Sequence, residues 1–86
     1  MSYDYQTERK WVFTDDGGRQ LLRISKKADD ILRKAGAATM EKLIAGECGG
    51  SWEMMACVDR LVEVGELREV NYGPCAGQHR IFVKGS

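Results

Sequence analysis

The apolar positions of the chain fall into successive groups, and their spacing changes from one group to the next. In residues 8–24, "ERKWVFTDDGGRQLLRI", two β-prone runs flank Asp15, Asp16, Gly17 and Gly18. Asp and Gly supply the left-handed backbone angles of a tight turn, so this stretch predicts a β-hairpin. In such a hairpin Trp11 and Phe13 share one side of the first strand, with Val12 on the other. Leu22 and Ile24 share one side of the second, so both runs have an apolar face to bury.

The period then lengthens to that of helices. Ser25 is placed to cap a helix in which Ala28, Ile31, Leu32 and Ala35 share a face, and Gly36 is placed to end it. Thr39 looks like the next N-cap, ahead of Met40, Leu43 and Ile44 on one face of a short helix that Gly46 closes. Ser51 caps a third helix, whose residues Met54, Cys57, Val58, Leu61 and Val62 form a full apolar stripe before Gly65. Two strand-like runs follow, "ELREVNY" at 66–72 and "RIFVK" at 80–84, joined by "GPCAGQH". Gly73, Pro74 and Gly77 mark that join as a loop. The predicted order is hairpin, helix, helix, helix, hairpin: an α+β chain read as one domain over 1–86, with a hairpin at 8–24, a helical part at 25–65 and a second hairpin at 66–84.

Composition bounds what such a chain does. Its 86 residues, 43% of them hydrophobic, suffice for one modest core. Basic and acidic residues balance at 13 each, so the overall field draws the chain neither to polyanions nor to anionic membranes. The densest basic cluster, Lys26, Lys27, Arg33 and Lys34, shares its helix with Asp29 and Asp30 and reads as a solvated face. No apolar run reaches the roughly 18 residues of a membrane span, and "MSYDYQTERK" lacks the apolar centre of a signal peptide. The expected location is the cytoplasm, with no membrane partner. Cys48, Cys57 and Cys75 include no close pair, which suits reduced thiols. Cys75 and His79 have one acceptable metal-ligand spacing, but the other cysteines do not complete it, so neither a metal nor another cofactor is expected.

The segment "ATMEKLIAGECGGSWEMMACVDRLVEVGELREV", with the "GPCAGQH" loop and "RIFVK", resembles the winged-helix (winged helix-turn-helix) family. The resemblance spans roughly residues 25–84 and leaves the N-terminal hairpin as an addition. It implies a three-helix winged helix with a C-terminal β-wing hairpin, a major-groove helix at 51–64 and a wing tip at 73–79. Ser51, Trp52, Met55, Ala56 and Arg60 then occupy the outward face of the reading helix, and Arg68, Gln78, His79 and Arg80 belong to the wing.

Charge runs against the DNA-binding role this implies. Residues 1–36 carry 8 basic and 6 acidic side chains, whereas residues 37–86 carry 5 and 7. Phosphate neutralisation supplies most nonspecific affinity for DNA, and the acidic half is the one that should hold it. Two functions therefore stand at this point. The leading one is a DNA-binding transcriptional regulator or accessory protein, dimeric because a single small module holds a half-site weakly. The other is a protein-interaction module, or a self-associating one, using Trp52, Met55 and the wing, since aromatics and Met anchor protein interfaces. Catalysis is not expected: His79 is the only histidine, and the Cys75 to His79 loop offers no defined electropositive pocket.

Overall fold

The computed structural model describes residues 3–70 and 80–85. In chain order it has α1 (Tyr5–Glu8), a 3-10 helix (Arg9–Phe13), α2 (Asp15–Ala35), β1 (Ala38–Thr39), α3 (Met40–Ile44), α4 (Ser51–Glu63), β2 (Leu67–Val70) and β3 (Ile81–Lys84). The fold is α+β, with a three-stranded antiparallel sheet ordered β1-β3-β2, so that β1 and β2 are its edges.

The N-terminal hairpin predicted over 8–24 does not form. Residues 5–13 wind into short helical turns, and α2 starts ten residues before Ser25, which lies inside it. The cause is local. The Thr14 hydroxyl accepts a hydrogen bond from Gly17 N at 3.0 Å and donates one to the Trp11 carbonyl at 2.7 Å. Thr14 is thus an N-cap, and Asp15 and Asp16 fall in the first turn, where the helix dipole favours anions. Once α2 is a helix, the buried set becomes Gly17, Gln20, Ile24 and Ala28, a three-to-four residue period. Ile24 is fully buried while Leu22 stands 62% exposed, so the two do not share a face. Gly36 closes α2 as expected, its N–H bonded to the Leu32 carbonyl at 2.9 Å.

The rest follows the sequence more closely. Thr39 caps α3 through Lys42 N, and it also belongs to β1, a strand the sequence did not announce. β1 exists because β3 lies beside it, with Ala38 opposite Phe82 and Thr39 opposite Ile81, and Met40 N donates to the Arg80 carbonyl at 2.8 Å. α4 begins one residue after its cap, Gly50. Ser51 is therefore the first helical residue and not the cap, and the Glu53 carboxylate reaches back to Gly50 N at 3.2 Å. At the other end Gly65 takes a φ of 86°, where glycine is favoured; Gly65 N donates to Val62 O and Glu66 N to Leu61 O. This closing turn sends the chain directly into β2. β2 and β3 pair with Leu67 opposite Lys84 and Val70 opposite Ile81, forming the C-terminal hairpin predicted there. The connecting residues 71–79, with Gln78 and His79, lie outside the described residues.

All three layers meet in one apolar cluster. Phe82, Ile24, Met40, Leu43, Leu61 and Val58 are its largest fully buried members, drawn from the sheet and from α2, α3 and α4. Burying one such side chain is worth roughly 1.5–3 kcal/mol. Among the described residues, no helix is long and apolar enough to cross a membrane.

Candidate interaction surface on the fourth helix

α4 decides the functional question, and it is buried on more sides than its stripe predicts. Met54, Cys57, Val58 and Leu61 face the core as expected. Met55 and Ala56, expected to point outward, are 8% and 0% exposed. Their burial has a definite cause: residues 3–13 pack against α4, and Met55 and Ala56 join Val12 in the same core cluster. Trp52 is half-buried and packs on the core cluster, while Ser51 remains exposed.

The N-terminal segment is fastened to α4 by polar groups. The Tyr3 hydroxyl donates to Asp59 Oδ2 at 2.6 Å, and the Tyr5 hydroxyl donates to Glu63 Oε1, also at 2.6 Å. Arg9 reaches Glu63 at 3.2 Å, and Arg60 approaches the same carboxylate at 2.8 Å from within α4. Both guanidiniums lie over the ring of Phe13, with centroid distances of 5.2 Å for Arg9 and 5.0 Å for Arg60. Further along, the Trp11 indole donates to Gln20 Oε1 at 2.9 Å, and Gln20 Nε2 donates to the Cys48 carbonyl at 3.1 Å. Gln20 is buried and satisfied, so it pins the end of the segment to α2.

Arg80 is the centre of a second constellation. Its guanidinium bonds Asp59 Oδ1 at 2.6 Å and Glu69 Oε1 at 2.7 Å, and lies over the Phe82 ring. It joins β3, β2 and α4, and with Tyr3 on Asp59 it also joins the N-terminal segment. Burial pushes the Tyr3 hydroxyl's pKa up, and the Asp59 hydrogen bond pushes it further. Burial opposes the Arg80 charge, but the hydrogen bonds to Glu69 and Asp59 outweigh it and raise the pKa.

Glu63 carries a pH signature. The hydrogen bond from Tyr5, then those from Arg60 and Arg9, lower its carboxyl from 4.5 to about 2. A depressed carboxyl favours the folded arrangement fully above its ordinary value and loses that contribution as pH falls through the folded one. The attachment of the N-terminal segment should therefore hold at pH 5 and weaken between 4.5 and about 2. Ring resonances of Tyr5 and Phe13 followed by NMR through an acid titration report it; rings that move only with global unfolding would contradict it.

These placements settle where the other predicted site residues lie. Arg60 and Arg80 are brought near α4's carboxylates and are occupied by them. Arg68 is exposed and makes no ion pair among the described residues. Cys57 is buried in the core, where burial pushes its thiol up to about 12, and Cys48 is exposed. Cys75 and His79 lie outside the described residues, and no cluster of three or more His, Cys, Asp or Glu suited to a metal occurs among those described. No family model, no curated protein and no solved structure matches the chain. The surface must be interpreted from its own chemistry.

That chemistry includes residues the sequence did not single out. Tyr3, Tyr5, Arg9, Asp59, Glu63 and Glu69 build the surface, and Phe13 is its exposed apolar element at 59%. Asp59 and Glu63, four apart on α4, had a visible spacing: one helix face with two carboxylates asks for donors from elsewhere.

Proposed function

We propose that the chain is a winged-helix-type module that works by protein association, with α4 serving as a structural helix and not as a reader of bases. The succession of α2, α3 and α4 before the β2–β3 hairpin, with β1 on the far side of β3, supports the winged-helix reading. The observation that carries the functional reading is the N-terminal segment lying across α4. A major-groove helix needs a free outer face bearing base-reading and phosphate-neutralising groups. Here that face holds Asp59 and Glu63 under Tyr3 and Tyr5, and the nearby cations Arg60 and Arg80 are already paired.

What the surface does offer is an interface anchor. Phe13 stands exposed between two guanidiniums, and Val64, one turn beyond Arg60, is half exposed. Aromatic residues, phenylalanine among them, and arginine are enriched at protein interfaces. This moves the contact from the Trp52 and Met55 of the sequence-based expectation to Phe13, Arg60 and Val64.

The deciding test is an NMR titration of labelled protein with a generic DNA duplex at low and then moderate salt. The expected result is no shift along α4 at low salt. Shifts at 51–60 that fade as salt rises would overturn the proposal in favour of DNA. That second reading draws on Lys42, Arg68 and Lys84, all exposed and none in an ion pair among the described residues. In it they contact phosphates beside the wing residues Gln78 and His79, and each charge removed lowers the salt slope by about one.

A further inference from the structure

The segment lying on α4 divides into two parts held in different ways. From Trp11 onward it is anchored: Val12 is buried in the core cluster, and Trp11 is bonded to buried Gln20. Before Trp11 it buries nothing fully. α1 has no buried residue, and residues 3–10 meet the body through the Tyr3, Tyr5 and Arg9 bonds to two carboxylates and through the half-buried rings of Tyr3 and Tyr5 on the core cluster.

Lifting residues 3–10 leaves the body electrostatically complete. Asp59 keeps Arg80, and Glu63 keeps Arg60, so neither carboxylate is stranded. The penalty that normally prevents a charged contact from opening, an unpaired buried charge, is absent here. The charges of the body thus stay paired without the cover.

We propose that residues 3–10 form a hinged cover turning before Trp11, and that the Asp59–Glu63 face beneath it docks a tyrosine- and arginine-bearing peptide segment of a partner. The cover is itself the template for that chemistry. Two aromatic hydroxyls and a guanidinium meet two carboxylates one helical turn apart. A partner segment with the same groups competes for the same acceptors, and opening the cover exposes Asp59, Glu63 and the inner side of Arg80 together. The hinge does not depend on the protein-association reading; only the class of occupant rests on it.

Hydrogen exchange on the full chain tests the hinge without any partner. Local openings have their own free energies, separate from global unfolding. Amides of residues 5–10 should exchange through an opening far more frequent than that of α2 and α4. In a Tyr3→Phe, Tyr5→Phe variant they should exchange about tenfold faster again, since each lost hydroxyl removes a hydrogen bond, while α2 and α4 amides stay unchanged. Amides of 5–10 that exchange only with global unfolding in the unaltered protein would overturn the hinge, whatever the variant does.

The docking face is then probed in that variant with a synthetic peptide of the sequence "YDYQTERKWVF". Shifts at Asp59, Arg60, Glu63 and Arg80, weaker in the unaltered protein whose own cover competes, are the expected result. No shift, or shifts at those residues produced by a DNA duplex and not by the peptide, would overturn the peptide site. DNA shifts at 51–60 of the unaltered protein are the separate failure that sinks the function proposed above.

Discussion

Replacing Gly17 by alanine is expected to lower the melting temperature by roughly 12 to 24 °C. A Cβ at Gly17 would lie 1.7 Å from the carbonyl oxygen of Trp11 and 2.6 Å from its carbonyl carbon. Both are backbone atoms, so no rotamer change relieves the overlap. The 3-10 helix must move away from α2, and it carries Val12 out of the core and the Trp11 indole off Gln20. Forced overpacking costs about 3 kcal/mol at the upper end of its usual range, and each kilocalorie shifts a domain of this size by roughly 4–8 °C. Gly18→Ala is the control, because its Cβ meets only the Val12 carbonyl oxygen, at 3.8 Å. Inside a helix that exchange gains up to about 1 kcal/mol from propensity. Calorimetry on the two variants reads the difference directly, and equal melting temperatures would show that the 3-10 helix is not locked to α2.

Arg80→Ala is expected to cost about 3 kcal/mol in denaturant unfolding, near the lower end for removing one partner of a buried ion pair. The Arg80 and Asp59 side chains are only 14% and 11% exposed. Deleting the guanidinium leaves Asp59 with the Tyr3 hydroxyl and takes from Glu69 its ion pair, so β2, α4 and the start of β3 lose their common tie. The signature that separates this from a simple loss of packing is non-additivity. Asp59→Asn added to Arg80→Ala should cost much less than the two singles together, because the second change removes the charge the first one stranded. Strictly additive losses would mean that Arg80 acts through its stacking on Phe82 and not through its charge.

How much of this was legible in the sequence depended on how local the deciding contact was. The stripe of Met54, Cys57, Val58 and Leu61, the Thr39 cap, the Gly36 and Gly65 stops and the C-terminal hairpin all announce themselves within a few residues. The stretch around Asp15 was also local but ambiguous. "DDGG" suits a turn, yet Thr14 turns the two aspartates into a helix start, and the buried side of α2 opens with Gly17 and Gln20, neither of which looks apolar in a hydropathy pattern. The burial of Met55 and Ala56 was beyond local reading. It depends on residues 3–13 returning to pack on α4, Tyr3 meeting Asp59 across 56 positions of chain, and nothing in the α4 segment records that return. Phe13 failed for a related reason, since strand alternation pairs it with Trp11, whereas a 3-10 turn sends Val12 inward and Phe13 out.

The position of β2 at the sheet's edge bears on whether copies of the chain can pair strand to strand. A bare edge invites the same strand of another molecule to add to it. Two copies joined antiparallel about a two-fold axis through the sheet keep each side chain on its own face, so the axis must pass through a residue meeting its own twin. Along the interior of "LREV" that residue is either Arg68 or Glu69. One alignment sets two guanidiniums opposite each other and the other sets two carboxylates, and like charges directly opposed weaken a strand pair. Arg68, in no ion pair among the described residues, thus weighs against one register of self-templated sheet growth, and Glu69, its charge offset by Arg80, weighs less against the other.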